Sequence, residues 1–375
     1  MPYRVNPLYS GGRRAYNKAM KTIACCYGTR PEFIKIAPVV LALNKLYPDI
    51  KTILICSGQH RELLTGIGED FGLKPDIELN IRKSIGNTDN LSELTSSLLL
   101  EFSKIFTKLK PDGVIVQGDA ASAAFAAIAA FHQELPIFYV EAGLRTYDLS
   151  QPFPEEGYRQ MISRIASVLF CPTDIDKKNL LNEGIPENKI HIVGNTVVDA
   201  LKIILKGRAL TDKKIVVTIH RRENWGAPIG RILSALKKIR ENNQDYDFIV
   251  SVHPNPIVKA EIEACLKNES GFKLIIPPTY RKFISMLSQS SGVITDSGGI
   301  QEEAPSLKIP VLVVREKTER TAGLKKGWSR LSGTNENGII SGFKWLMNWK
   351  MPDGGNPYGD GKAALRIAKI IYERI

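Results

Sequence analysis

The residues able to do chemistry in this chain stand in short clusters, each following an apolar run. Gly28-Thr29-Arg30-Pro31-Glu32, with Lys35 further on, follows the run at 21–27. Gly118-Asp119 follows 113–117, and Glu141 opens Glu141-Ala142-Gly143-Leu144-Arg145-Thr146 after 136–140. Pro152-Phe153-Pro154-Glu155-Glu156 comes next, with Arg159 close behind. His220-Arg221-Arg222-Glu223-Asn224 follows 214–219, and His253-Pro254-Asn255-Pro256 follows 248–252. Carboxylates set beside Arg, Lys and His are the raw material for proton transfer next to a bound anion. Each cluster alone reads equally as a solvated loop; Asp119, for instance, is placed to cap a helix starting at Ala120. Their recurrence at the same end of successive runs points to one shared site.

The turn Asp296-Ser297-Gly298-Gly299-Ile300-Gln301-Glu302-Glu303 is the most readable of these clusters. A strand ends, two glycines allow a tight turn, and a helix begins. Its free N–H groups suit phosphate. Ser297 adds a hydroxyl, and Glu303 stands where a carboxylate can accept from ribose. A Ser-capped helix after a glycine turn accounts for the local motif equally well. Two other motifs fail. Residues 66–72 read GxGxxxG, the wrong spacing for a dinucleotide fingerprint and not after a strand. No GxxxxGK[ST] loop exists. No NAD, ATP or other cofactor is therefore expected. No metal is expected either, because the five cysteines and five histidines share no ligand spacing.

The elements that must position these clusters alternate. Strands are expected at 21–27, 51–57, 113–117, 136–140 and 167–171, then at 189–194, 214–220, 247–253, 272–277, 291–296 and 309–314. Helices are expected at 31–47, 97–109, 121–133, 230–242, 280–290 and 361–375. This is the rhythm of βαβ units, so the fold class is α/β with two doubly wound parallel domains. The Gly/Pro-rich stretch 350–360 reads as a linker. In such sheets ligands bind beyond the carboxyl ends of strands, which is where the clusters lie.

Composition narrows the class. The chain has 375 residues with 43% hydrophobic and 24% charged, which excludes a mostly disordered chain, a collagen or a coiled coil. Formal charge is +12, and the basic arm 1–22 carries +5 of it. No Arg/Lys stripe interleaved with aromatics accompanies it, so no nucleic-acid partner is expected. No apolar run reaches the ~18 residues of a spanning helix and the first twenty residues have no apolar h-region, so neither a secretory signal nor a membrane partner is expected. Unpaired cysteines agree with a cytoplasmic location.

Taken together, GTRPEFIK, GQHRE (58–62), VQGD, VEAGLRT, PFPEE, GNTVVDAL (194–201), IHRREN, TDSGGIQEEAPSL and REKTER (315–320) resemble the non-hydrolysing UDP-N-acetylglucosamine 2-epimerases in order and spacing. The likeness runs from about Met20 to the C-terminus. It implies two Rossmann-like domains in the glycosyltransferase-B architecture, a UDP-sugar in the interdomain cleft, and a homodimer. The implied layout is a basic extension at 1–19, an N-terminal domain at 20–193, a UDP-binding domain at 194–358, and a helix at 359–375 packing back on the N-terminal domain. The implied activity is C2 epimerisation to UDP-N-acetylmannosamine, by elimination of UDP to a 2-acetamidoglucal and re-addition. By motif position Asp119, Glu141 and Glu155 are acid/base candidates, with His220 as a catalytic partner. Arg30, Lys35, Arg159 and Arg320 are cationic partners. Ser297, Gly298, Gly299 and Glu303 hold UDP, and Phe283 meets the uracil.

The chain departs from the family pattern in places. GDAASAA replaces a run of threonines, Tyr158 replaces Asn, Leu169 replaces His, and Thr321-Ala322 replaces Pro-Glu. A 2-epimerase of a related UDP-acetamido sugar and a UDP-sugar glycosyltransferase of the same fold remain as alternatives. The arm 1–19 has no family counterpart and lacks apolar periodicity. Deleting it is expected to leave turnover within a few-fold of the full chain; a truncated protein that cannot fold or turn over would show the arm to be structural.

Overall fold

The structure, a computed structural model, describes residues 20–58, 66–79, 81, 90–205, 213–253 and 255–375. The basic arm and all but Gly58 of the GQHRE motif lie outside these residues.

The first sheet contains β1 (Lys21–Tyr27), β2 (Ile50–Cys56), β3 (Ile77–Glu78), β4 (Gly113–Gln117), β5 (Ile137–Val140), β6 (Val168–Cys171) and β7 (Ile190–Ile192). Its order is β3-β2-β1-β4-β5-β6-β7 and every pairing is parallel. Central strands here are continuous apolar runs because both faces are covered. Along β1, Ile23, Cys25 and Tyr27 join Phe33 and Ile36 of helix Arg30–Leu46 in one core. Ala24 and Cys26 join Ala123 and Ala127 of helix Ala121–His132 in another. The alanines of that helix let it lie close on the sheet.

The second sheet contains β8 (Lys214–Ile219), β9 (Asp247–Val252), β10 (Phe272–Ile275), β11 (Gly292–Thr295), β12 (Val311–Val313) and β13 (Ser329–Leu331). Its order is β10-β9-β8-β11-β12-β13, again parallel throughout. Two doubly wound, Rossmann-like sheets are therefore present. In the first, strand order reverses between β1 and β4; in the second, between β8 and β11. Crevices open at such switch points, beyond the carboxyl ends of the strands. The chemistry-bearing loops after β1, β4, β8 and β11 all fall there.

Strand positions match the sequence reading to within a few residues, apart from β3 and β13, which are too short to show a pattern. The glycines of the 66–72 motif cap a short helix, Ile67–Phe71, with φ of 80° at Gly66 and 66° at Gly72. Asp119 does not cap the helix that follows it; that helix starts from Ala120 with no side-chain cap. No helix among the described residues is long and apolar enough to cross a membrane.

The final helix, Ala363–Arg374, lies against helix Arg30–Leu46 of the first half, where the Tyr47 and Tyr372 rings stack at 4.2 Å. Its first N–H groups are capped from elsewhere in the chain. Ala363 N and Ala364 N donate to the buried carboxylate of Asp199 at 3.2 and 3.1 Å. Asp199→Ala orphans both donors and is expected to cost about 1–3 kcal/mol of stability. A urea midpoint unchanged from wild type would show that apolar contacts alone dock the helix.

Candidate active site

In the first half, the loop after β1 is built around Glu32. Thr29 N-caps helix Arg30–Leu46, and Glu32 closes a capping box by accepting from Gly28 N at 3.0 Å and Thr29 N at 2.7 Å. Burial pushes the Glu32 carboxyl up to about 7. Lys35 follows one turn on, on the same helical face. It crosses to Glu141, which follows β5 with φ of 66°. A non-glycine residue in that left-handed region is strained, and such strain gathers at functional sites.

In the second half, Asp296 follows β11. It accepts from His220 N and Arg221 N, each at 2.9 Å, and from Asn224 Nδ2 at 2.9 Å. His220 Nδ1 lies 3.0 Å from the same carboxylate. Burial opposes charge on Asp296, but His220 and the backbone donors hold its carboxyl well below the usual carboxylate range. The imidazole is oriented through Nδ1, which leaves Nε2 for a ligand. Ser297 occupies the N-cap position of helix Gly298–Glu303 but makes no capping bond, so its hydroxyl is not committed to the helix. A Cβ on Gly298 would lie 2.9 Å from Arg320 Cζ. Only glycine lets the guanidinium approach the turn this closely.

The two halves meet in a ring of four buried charges. Lys35 Nζ lies 2.5 Å from Glu141 Oε1 and 2.8 Å from Glu302 Oε2. Arg320 lies 3.1 Å from Glu141 Oε1 through Nη2 and 3.0 Å from Glu302 Oε1 through Nε. Gln117 also donates to Glu141 Oε2. Burial and the neighbouring Glu302 push the Glu141 carboxyl up to about 7. Burial opposes charge on Glu302 too, but Lys35 and Arg320 prevail and keep its carboxyl low. Two carboxyls against the same cations are thus driven in opposite directions.

A second cluster adjoins the first. Arg159 donates to Asp119 Oδ2 from Nε at 2.8 Å and to Glu156 Oε2 at 2.7 Å. It lies 3.6 Å from Glu319 Oε1. Glu319 also bonds Arg320, and Arg315 at 3.2 Å. Burial works against its charge, yet Arg320, Arg159 and Arg315 hold it ionised. Beside them, Glu155 has a buried Oε2 with no hydrogen-bond partner among the described residues. Burial and then Asp119 push its carboxyl up. A carboxyl in that setting is a proton holder.

The remaining positions lie at the edge. Tyr280 OH donates to Glu303 Oε1 at 2.9 Å, and the Arg30 guanidinium sits 5.6 Å over the Tyr280 ring. Phe283 is buried in the apolar cluster with Tyr280 and Ile284. The structure therefore brings Lys35, Asp119, Glu141, Arg159 and Arg320 together through shared partners. It ties Arg30 to Glu303 through Tyr280 and gives His220 its own carboxylate. Sequence reasoning passed over Gln117, Glu156, Asp296, Glu302, Arg315 and Glu319 as functional groups. Each stands within five residues of a chosen position, so motif proximity was the available signal. No group of His, Cys, Asp and Glu able to hold a metal ion occurs among the described residues.

Two Rossmann-like halves joined by a buried cluster of carboxylates and cations define an α/β protein with a candidate acid/base site between its sheets. The family profile for UDP-N-acetylglucosamine 2-epimerase matches residues 44–372. The chain is 39% identical to the UDP-N-acetylglucosamine 2-epimerase of Bacillus subtilis over 92% of this chain and 93% of that one. It superposes on the Neisseria meningitidis UDP-GlcNAc 2-epimerase bound to UDP-GlcNAc with a TM-score of 0.88, at 36% identity, covering 94% of this chain and 100% of that one. The Methanocaldococcus jannaschii enzyme in complex with UDP-GlcNAc and UDP gives 0.82 at 35% identity, covering 94% and 99%. A likeness to Acinetobacter baumannii MurG, at 12% identity and a TM-score of 0.57, concerns the fold alone. The chain belongs to the UDP-N-acetylglucosamine 2-epimerase family.

The raised Glu32 carboxyl has a consequence for stability. Its folded value lies above the unfolded one, so the fold favours the protonated form. Stability is then lost as pH rises from about 4.5 to about 7, by up to ~3 kcal/mol from this group. Glu32→Gln keeps an acceptor for Gly28 N and Thr29 N without the titration. The variant is expected to lose less stability than wild type between pH 5 and 7.5. Parallel melting curves for the two proteins across that range would contradict this account.

Proposed function

We propose that the chain interconverts UDP-N-acetylglucosamine and UDP-N-acetylmannosamine by epimerisation at C2. The observation that carries this reading is the ionic ring of Lys35 and Glu141 with Glu302 and Arg320, set between the two switch points. It is supported by family membership and by relatives that bind UDP-GlcNAc and UDP.

The C2–H of the sugar is not next to a carbonyl, so simple deprotonation is prohibitive. Elimination avoids this. A base takes the C2 proton, the C1–O electron pair leaves with UDP, and a C1=C2 double bond forms in the 2-acetamidoglucal. Protonation of C2 from the other face and attack of a UDP oxygen on C1 restore the bond with inverted configuration. Two proton-transfer groups on opposite faces are required, and charge must be stabilised on the departing diphosphate. Asp119, Glu141 and Glu155 are the candidates for the first task. The Glu141 carboxyl is pushed up to about 7, and burial and Asp119 push the Glu155 carboxyl up as well, so either can hold a proton. Lys35, Arg159, His220 and Arg320 serve the second, with the N–H groups of Ser297, Gly298 and Gly299. Glu303 takes the ribose, Phe283 the uracil, and Arg30 the edge of the nucleotide pocket.

Incubation with UDP-GlcNAc in D2O, followed by NMR, is the direct test. UDP-ManNAc signals with deuterium at C2 are expected, without added metal or nucleotide cofactor. Asp119→Asn, Glu141→Gln and Glu155→Gln are each expected to slow turnover by roughly a hundredfold or more while UDP still binds. Slow variants should shed free UDP and glycal, because re-addition suffers more than departure. Near wild-type rates in all three variants would refute the site assignment, and no C2 exchange in wild type would refute the reaction.

A further inference from the structure

The stretch 350–360, which reads as a linker, leads from helix Glu336–Met347 of the second half to the final helix, which packs on the first half. It lies against Gly194–Asn195, just after β7. Asn195 N donates to Tyr358 O at 2.7 Å. A Cβ on Gly359 would lie 3.1 Å from Gly194 Cα, and φ is 92° at Gly194 and 124° at Gly359. Gly359 is thus needed for approach and for conformation, and Gly194 for conformation. Asn356 sets the turn, accepting from Tyr358 N at 2.8 Å and donating to Ser306 Oγ at 2.6 Å.

Tyr358 is 2% exposed, so this turn carries a buried side chain. Its hydroxyl donates to Arg320 O and accepts from Gly323 N, both at 3.2 Å. A Cβ on Gly323 would stand 2.9 Å from that hydroxyl. Helix Thr321–Lys325 has Arg320 at its N-cap, with no side-chain cap of its own. The tyrosine is therefore a tether on the residue whose guanidinium packs on Gly298 and grips Glu141 and Glu302. Burial pushes the phenol up, which keeps it a neutral donor.

We propose that Tyr358 is a positioning residue: from the passage between the halves it fixes the Arg320 backbone, and so the cation that holds the diphosphate between elimination and re-addition. The proposal rests on the epimerase reading above. It makes the relative placement of the halves and the position of Arg320 one mechanical unit. A loosened Arg320 would bind the starting nucleotide through the remaining contacts yet fail to retain UDP once the C1–O bond has broken.

The test is Tyr358→Phe, which keeps the ring and removes the hydroxyl. A kcat lowered by about tenfold or more is expected, with KM changed by less than about twofold. A larger share of turnover should end as free UDP and glycal. In an Arg320→Lys background the same change should have little further effect, because the tether then has no guanidinium to place. Gly323→Ala, which presses a methyl against the hydroxyl, should produce the same leak and decides the matter if Tyr358→Phe does not fold. A kcat within twofold of wild type in the variant that folds, or equal losses in both backgrounds, overturns the proposal. Wild-type protein without turnover would refute the epimerase reading first, so the two failures are told apart.

Discussion

Lys35 and Arg320 are buried cations, and neither can keep its charge out of water without carboxylates against it. Glu141 and Glu302 meet that need, one from each half. Removing one member of a buried pair commonly costs about 3–5 kcal/mol because the partner is left uncompensated. The ring therefore ties the halves together as firmly as it equips the cleft. Both carboxyls face both cations; burial and Glu302 push Glu141 up, while Lys35 and Arg320 keep Glu302 low.

The rest of the fold serves this constraint. Parallel sheets place every strand's carboxyl end on one side, and the reversal of strand order opens a crevice there. The loop after β1 launches Lys35 from a capped helix, β5 delivers Glu141 in a strained conformation, and the turn after β11 begins the helix that carries Glu302. Glycines stand where backbones or guanidinium groups must come close, as at Gly298 and Gly359. The final helix closes the circuit by packing on the same helix that bears Lys35.

Much of this was legible in the sequence because parallel strands are short apolar runs and the loops between them are rich in Gly and charge. Runs such as 21–27 and 113–117 coincide with β1 and β4. β3 and β13 escaped because two or three residues carry no periodicity. In the site, the motif points to Glu303 as a ribose acceptor and gives its neighbour Glu302 no role. Which of two adjacent helical carboxylates faces the cations depends on helix phase, and that is set by packing on the opposite half. Asp119 looked like a helix cap, yet the nearby Arg159 claims it. Tertiary pairing of charges overrode local propensity there.

Charge accounting within the cleft defines what binding must do. Lys35, Arg159, Arg315 and Arg320 are bonded to Asp119, Glu141, Glu156, Glu223, Glu302 and Glu319. Four cations thus face six carboxyls, while the chain as a whole carries +12. On the proposed reading the net positive charge draws a diphosphate in, but these four cations are already engaged. For any of them to turn to a nucleotide, carboxylates must yield it or take up protons. A carboxyl poised near neutrality, as Glu141 is, can do either. On the proposed reading, the group that relinquishes a cation to the arriving diphosphate is the one that exchanges a proton with the sugar, so binding and acid–base chemistry draw on the same charge.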